Sequence, residues 1–466
     1  MRLPALLLLL ILSALQACVA PGRSDARQER PNILFVIVDD QRADVLGCAG
    51  HPVLQTPNID RLAAEGVRFS NSFVTTSICA ASRATILTGL VERSHGYTFG
   101  TPPLTPQLQG ASYPTLLGEA GYRTAYFGKF GVRLEDAGPA NLFDETGVRG
   151  MPYWRGEGEE RWHIDERNTE EAIEFLRSMD GDEPFCLTVG YSSGHAQDGN
   201  LKDHFPPIRA TSEAYAEVPM PRPRLGQSVF ESQPAFLRDS RHRDRWFWRW
   251  DTPEKYDRNM RDYLRMLTGV DHMVGQMVET LEEQGLAEST VVIFCADNGY
   301  YMGERGFAGK WSHYEESLRV PLVIFDPRVP VEQRGRVAEA LVLNTDWTAT
   351  LLDLAGVPVP EHYQGRSLLP FTRGEQPGDW RTEFFCEHLL ADARIPRWEG
   401  VRQERWKYAR YIDQDPVYEF LFDLESDPDE LVNLAEEESA AAELELLREA
   451  TTQYARRYEA AASRLR

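Results

Sequence analysis

Two runs of consecutive apolar residues stand out against an otherwise mixed chain, ILFVIV at 33–38 and VVIFCA at 291–296. Neither has the two-residue alternation of a half-exposed strand or the 3.6-residue period of an amphipathic helix. Runs this short and uniformly apolar predict strands buried on both faces. Each stops at polar residues, Asp39-Asp40 in one case and Asp297-Asn298-Gly299 in the other. Between them, helical patterns over 59–65, 82–88, 113–120, 169–178 and 262–284 alternate with short β-rich pieces, TAYFGK at 124–129 and FCLTVGY at 185–191. That alternation predicts an α/β layered domain with a mostly parallel central sheet and helices on both faces. Residues 196–255 break the rhythm. They are rich in Pro, Arg and Trp with little periodicity, and are expected to form a functional surface insertion.

Beyond VPLVIFDP at 320–327, the helix DWTATLLDLAG ends at Gly356 with Pro358 two residues on, a standard stop. From about Thr382 the pieces EFFCEH, GVRQERWKYARYI and YEFLFDL predict a small antiparallel sheet, and the Ala/Glu/Arg-rich tail from Glu436 a helix with a solvated charged face. The expected organisation is a main domain over 31–375, containing the 196–255 insertion, and a C-terminal subdomain over 376–466.

The N-terminus follows different rules. After Arg2, an apolar run from Ala5 to about Leu15 is too short to span a bilayer and matches a signal-peptide core. Leu15-Gln16-Ala17-Cys18 resembles a bacterial lipoprotein cleavage box. Residues 1–17 are therefore expected to be removed, Cys18 to carry lipid, and 18–30 to act as a tether. The expected location is outside the cytoplasm, periplasmic or cell-surface, with membrane contact only through the lipid anchor.

Composition narrows the function classes. The chain has 466 residues, 42% hydrophobic, with 72 acidic against 50 basic side chains and a formal charge of -22. It is long enough for more than one core. So acidic a chain repels polyanions as a whole, which excludes a nucleic-acid partner. Cys48, Cys186, Cys295 and Cys386 lie far apart, with neither metal-type spacing nor a disulfide pattern, and read as small buried hydrophobes. Oligomeric state has no signature in the sequence.

In open α/β sheets ligands sit outside the carboxyl ends of strands, so Asp39, Asp40, Asp297 and Asn298 are able to converge. Three carboxylates and an amide oxygen are hard ligands suited to Ca²⁺ or Mg²⁺. Strand-end Asp residues also cap helices, and the pattern alone leaves both readings open. A second constellation is TTSICAASRATILTG at 75–89, with Cys79 just before a helix and Arg83 one turn on. The free amides and dipole of a helix start favour a nucleophile or an anion there. A core cysteine and a surface charge would give the same letters.

The 75–89 segment resembles the sulfatase signature Cys/Ser-x-Pro/Ala-Ser-Arg-x-x-x-(Leu/Thr)-x-Gly. It is accompanied, in order, by PNILFVIVDDQRADVLG, GYRTAYFGK, PFCLTVGYSSGH and ADNGYYMGERGFAGKWSHYEESLRVPLVIFDP. On these motifs, which run from about Pro31 to Ala435, the chain is identified as a member of the formylglycine-dependent sulfatases, within the alkaline-phosphatase-like superfamily. The resemblance implies that a maturation enzyme oxidises Cys79 to formylglycine, whose aldehyde hydrates to a diol. It implies one Ca²⁺ bound by Asp39, Asp40, Asp297, Asn298 and an oxygen of residue 79. Arg83 and Lys129 would hold the diol, and His195 and Lys310 would contact the sulfate and the ester oxygen. One diol oxygen would attack sulfur, His195 or Lys310 would protonate the departing alcohol, and the second hydroxyl would let the covalent intermediate collapse. A sulfated carbohydrate is the expected substrate, from family habits, export and the Trp/Arg insertion.

Two positions depart from the commonest pattern. Ala81 replaces Pro, a variant resembling the form handled by radical-based bacterial maturation enzymes. Gly128-Lys129-Phe130-Gly131 stands where many sulfatases carry Gly-Lys-Trp-His, so the usual base is missing at Gly131. His95 is the candidate substitute, with His313 behind it. In RDRWFWRW, Trp248 and the arginines are candidates for sugar stacking and sulfate attraction, or for packing. His388 and Arg394, in CEHLLADARIPRW, are expected at the pocket rim or in local pairs. Two rivals follow: a phosphoester or phosphonate hydrolase on the same scaffold, and a sulfated-glycan-binding protein that no longer turns over.

Overall fold

The computed structural model describes residues 30–465 except 182, so the expected signal peptide, Cys18 and tether lie outside the described residues. Its centre is an eight-stranded sheet. In chain order the strands are β1 (Asn32–Val38), β2 (Val67–Phe69), β3 (Arg123–Gly128), β4 (Glu145–Val148), β5 (Phe185–Gly190), β6 (Thr290–Ala296), β7 (Leu322–Phe325) and β8 (Arg336–Ala338). They lie in the order β8-β2-β7-β6-β1-β5-β3-β4. All neighbours are parallel except β7, which runs antiparallel to both β2 and β6. The two apolar runs are the adjacent central strands β1 and β6, in register from Asn32 opposite Thr290 to Val38 opposite Ala296. Every residue of both is buried.

Burial on both faces needs helices on both. Tyr126 and Phe127, neighbours on β3, show the two sides. Phe127 packs on Phe175 of α4 (Ile164–Ser178), whereas Tyr126 packs on Phe143, which also meets Tyr113 of α3 (Tyr113–Glu119). α1 (Pro57–Glu65) and the 31-residue helix α6 (Pro253–Glu283) group with α4. α2 (Cys79–Thr88) and α7 (Asn344–Leu354) group with α3.

The region read as irregular is partly helical. α5 (Arg241–Arg249) occupies the Trp/Arg run, and α6 begins nine residues before the predicted Asp262. The start signals were local: Thr252 Oγ1 accepts the Lys255 amide at 3.2 Å, and Pro253 takes the first helical position. The density of Arg and Trp masked them. α4 likewise starts at Ile164 rather than Thr169, capped by a histidine: His163 Nδ1 accepts the Asp165 amide at 3.2 Å.

The C-terminal sheet is a four-stranded antiparallel meander, β9 (Glu383–His388), β10 (Trp398–Gln403), β11 (Trp406–Tyr411) and β12 (Tyr418–Asp423). Its faces divide by alternation. Phe384, Cys386, Trp398, Ala409, Tyr411, Phe420 and Phe422 join the main core. Phe385, Val401, Tyr408 and Leu421 pack on Leu444, Leu447 and Ala455 of α8 (Ala441–Leu465). The sheet is thus a wall shared between the main core and the last helix. No helix among the described residues is long and apolar enough to cross a membrane.

Candidate active site

The carboxyl ends of β1 and β6, side by side in the sheet, deliver Asp39, Asp40, Asp297 and Asn298 to one buried place. Asp39, Asp40 and Asp297 offer carboxylate oxygens all within 4.8 Å of one another, and Asp39, Cys79 and His195 likewise share a cluster of that size. The first turn of α2 supplies Cys79 and Arg83. Ile78 precedes it in extended conformation without a side-chain cap, and Gly89 closes the helix with its amide on Thr85 O at 2.8 Å. Ser82 Oγ accepts from Asn344 Nδ2 of α7 at 3.0 Å, which anchors the turn.

Three buried cations answer the three carboxylates. Arg83 Nε donates to Asp297 Oδ2 at 2.7 Å, Lys129 Nζ to Asp39 Oδ2, and Lys310 Nζ to Asp40 Oδ1. Asn298 Nδ2 also donates to Asp40 Oδ1, at 2.6 Å. Burial opposes the charge on Asp39, but Lys129, aided by His195, Lys310 and Arg83, holds it well below the usual carboxylate range. Burial, then the neighbouring Asp39, pushes Asp297 up to about 6. Burial also raises the Cys79 thiol, against Lys129 and Lys310.

Two oxygens in this set are left over by the hydrogen bonding, although Lys310 Nζ stands 3.9 Å from one of them, Asp39 Oδ1. Asp39 Oδ1 and Asn298 Oδ1 are buried and make no hydrogen bond among the described residues. Leaving such atoms dry is costly unless a cation takes them. Hard oxygen donors from three carboxylates and an amide fit a divalent cation of the calcium class. The six charged side chains cancel, so a dication would leave the site positive toward an anionic ester.

His195 follows β5 in a loop set by groups that carry no motif of their own. Asp165 of α4 accepts the amides of Ser192 at 3.1 Å and Ser193 at 2.8 Å, and Tyr153 donates to His195 O at 2.6 Å. Gly194 has φ +100, and a Cβ there would lie 2.0 Å from Asp39 O, so only glycine brings the loop this close to β1. His195 Nδ1 lies 2.8 Å from Ala196 O, which assigns the ring hydrogen to Nδ1 and leaves the Nε2 lone pair facing Asp40 Oδ2 at 3.9 Å. Burial, then Lys310, lowers its pKa far below the ordinary imidazole value.

Lys310 stands at the end of a hairpin between Tyr301–Met302 and Ala308–Gly309. The next residue, Trp311, has φ +89, rare for so bulky a side chain. Trp398 of β10 donates from Nε1 to Trp311 O at 2.7 Å, so the C-terminal sheet holds the turn that presents Lys310. No local signal in the sequence pairs these two tryptophans.

The other candidates fall in different places. His95 is buried with Nε2 3.1 Å from Thr85 Oγ1, while Nδ1 accepts the Tyr97 amide at 3.0 Å, so both nitrogens serve local structure. His313 is packed against Phe420 and Phe422, with Nδ1 2.9 Å from Tyr411 Oη. At Gly131 the backbone has φ +73, and a Cβ would lie 3.0 Å from Arg83 Cδ. A side chain there would press on the Arg83 stem. His388 is fully buried at the end of β9, beside the cluster of Ile78, Ala81, Trp311 and Ile395, and is not on an open rim. Burial pushes its pKa down to about 3. Arg394 is half exposed and pairs with Asp244 of α5 at 2.7 Å. Trp248 lies half-buried on α5.

A buried strand-end carboxylate cluster, a helix-start cysteine and three enclosing cations on this sheet define a hydrolase of anionic esters with the alkaline-phosphatase-like fold. A sulfatase family model matches residues 31–357, and a model of the C-terminal part of N-sulphoglucosamine sulphohydrolase matches residues 303–457. The chain belongs to the sulfatase family, and is a sulfuric ester hydrolase. It is 29% identical to an N-acetylglucosamine-6-O-sulfatase of Bacteroides thetaiotaomicron, over 96% of this chain and 91% of that one. It is 30% identical to a choline-sulfatase of Rhizobium meliloti, over 87% and 83%. Among solved structures, one in complex with its substrate D-glucosamine-2-N,6-O-disulfate superposes with a TM-score of 0.78 at 24% identity, covering 92% of this chain and 98% of that chain. The phosphonate monoester hydrolase of Agrobacterium radiobacter gives 0.75 at 22%, covering 94% and 96%. At these identities the likeness is one of fold.

Proposed function

We propose that this sulfatase hydrolyses sulfate esters of a carbohydrate, with N-acetylglucosamine 6-sulfate as the first substrate to test, after conversion of Cys79 to formylglycine and with one calcium ion. The observation that carries the reading is the pair of donorless buried oxygens, Asp39 Oδ1 and Asn298 Oδ1, in a carboxylate cluster beside Cys79. The glucosamine sulfatase relative, which aligns along nearly the whole chain, supports the sugar.

Asp39, Asp40, Asp297 and Asn298 would hold the cation. The ion would supply charge neutralisation of the sulfate, and the modified residue 79 an oxygen nucleophile. This chain's own side chains do the rest. Arg83, fixed by Asp297 and by Tyr126 Oη at 3.1 Å, bounds residue 79 from the helix side. Lys129 faces it from the end of β3. The buried ammonium of Lys310, kept charged by Asp40, would donate a proton to the leaving oxygen, while His195, its Nδ1 held by Ala196 O, would hydrogen-bond an ester oxygen through Nε2 only when that nitrogen carries a proton.

Sulfate release from a panel of sulfated sugars by protein from its native host tests the substrate. Mass spectrometry of the peptide containing residue 79 tests the modification; an unchanged thiol would refute it. A second reading, phosphoester or phosphonate hydrolysis, draws on the 28% identical multifunctional alkaline phosphatase superfamily protein of Trinickia caryophylli. Turnover of 4-nitrophenyl sulfate against its phosphate and phosphonate analogues, with calcium or manganese, separates the two. The N-terminal motif adds an exported lipoprotein, tested by the mass of the mature N-terminus.

A further inference from the structure

α5 carries two arginines toward the site by a route the established chemistry does not use. Arg245 Nη2 and Arg249 Nη2 each take one oxygen of the same carboxylate, Asp198, three residues past His195. Two guanidinium groups share one acid, which leaves one positive charge in excess. Arg249 is fully buried and also reaches Tyr300 Oη at 3.3 Å, so it has a structural place. Arg245 is different. It lies over the Trp311 ring, 4.6 Å from its centroid, and a Cβ on Gly309 would stand 3.6 Å from its Nη1. Its Nε is buried without a hydrogen-bond partner, and its Nη1 makes none among the described residues.

Arg245 therefore sits between the two loops that present Lys310 and His195, the residues assigned above to the leaving-oxygen side of the ester. A cation there faces what the sulfate is attached to. Trp248, three residues further along α5, has its ring centroid 5.8 Å from the Arg249 guanidinium carbon. The other arginines of the helix are engaged elsewhere: Arg241 on Asp392, and Arg243 against Phe230 and Trp246.

We infer that Arg245 forms an anion subsite on the leaving-group side, which selects esters whose sugar bears a second negative group, a sulfate or a carboxylate, near the ester that is cleaved. This rests on the carbohydrate sulfatase reading above. Asp198 tunes the subsite, since its carboxylate competes with the substrate anion for Arg245.

The test compares kcat/KM for glucosamine 6-sulfate with that for 2-N,6-O- and 3,6-O-disulfated glucosamine and for a disaccharide placing a uronate beside the 6-sulfate. The matured protein should prefer at least one doubly charged substrate by about tenfold, the factor one charge-assisted hydrogen bond supplies. Arg245→Gln should bring that ratio close to one. Asp198→Asn should raise it, a change of opposite sign that no general loss of folding produces. Ratios near one for every substrate in the wild type, or a preference that survives Arg245→Gln, would overturn the subsite. Hydrolysis of 4-nitrophenyl sulfate without any sugar sulfate would instead refute the carbohydrate reading, and no hydrolysis of either would refute the matured sulfatase.

Discussion

Two buried clusters in this molecule are built from the same kinds of charge and differ in how closely those charges are paired. At the active site, Asp39, Asp40 and Asp297 face Lys129, Lys310 and Arg83. Where the main core meets the C-terminal sheet, Glu315, Glu316 and Glu430 face Lys407 and Arg305. Lys407 Nζ lies 3.0 Å from Glu315 Oε1 and 2.7 Å from Glu430 Oε1, and Arg305 Nε reaches both Glu316 oxygens at 3.1 and 3.2 Å. The second cluster is the more closely paired: Glu430 Oε2 takes the Glu315 amide at 2.9 Å, Arg305 stacks on Tyr314, and Glu430 Oε1, which makes no aligned hydrogen bond, still has the Lys407 ammonium at 2.7 Å. The first retains acceptors with no donor, Asp39 Oδ1 and Asn298 Oδ1, beside a cysteine. Buried charge alone therefore does not mark a function, and neither does a single unsatisfied atom, since Glu430 Oε1 is one; what sets the first cluster apart is leftover oxygens within a hard-donor set beside a cysteine.

The contrast is breakable at several points. Cys79→Ala should cost on the order of 10³-fold or more in turnover of 4-nitrophenyl sulfate, with the thermal midpoint little changed. An active Cys79→Ala protein would remove the site from its role. Lys407→Met should do the reverse: it removes the cation shared by Glu315 and Glu430, leaving them only Arg402 at 3.5 Å and Arg305 at 3.6 Å, at a cost of about 3 kcal/mol, read by urea unfolding, while kcat per folded molecule stays at the wild-type level.

Acid should separate the clusters too. Burial opposes ionisation of Glu315, but Lys407, Arg402 and Arg319 prevail and bring its pKa from 4.5 to about 2. A depressed carboxyl stabilises the fold above its unfolded pKa, and this contribution, on the order of 3 kcal/mol, is lost as pH falls from about 4.5 through about 2. Glu315→Gln should flatten that part of the stability–pH curve, and an unchanged slope would show that the ion pair is idle.

Calcium at a hundred times its dissociation constant should stabilise the wild type by about 2.7 kcal/mol. Asp297→Asn should abolish much of this shift, whatever its activity, if the proposed cation site is the one occupied. The smallest expected effect is at His95. With both ring nitrogens bound to Thr85 and Tyr97, His95→Ala should leave single-turnover sulfate release within about twofold of wild type. A large drop would restore His95 as the base absent at Gly131.

Much of the sheet was legible because its signal is local. A strand covered on both faces must be apolar throughout and must stop where its side chains meet solvent or ligand, so β1 and β6 and their polar ends were visible one residue at a time. The α5 segment and the early start of α6 were missed because a capping Thr-Pro pair was embedded in a run of Arg and Trp, where hydrophobic periodicity is weak. The convergence of Cys79 with the two strand ends was legible only as a family likeness, because spacing along a chain carries no distance across a sheet.

By itself the sequence determined which side chains are available for chemistry, that Asp39, Asp40, Asp297 and Asn298 end strands, and that Cys79 opens a helix. Each follows from patterns a few residues long. Only the tertiary structure decided which of these groups keep a free atom. It spent His95 on Thr85 and Tyr97, held the Trp311 turn with Trp398, tied the His195 loop to Asp165, and set Arg245 over the Trp311 ring with one carboxylate shared between two arginines. The physical reason is common to all four. A hydrogen-bond partner is chosen by which segments pack together, and that choice is made by the whole core at once, not by the residues on either side.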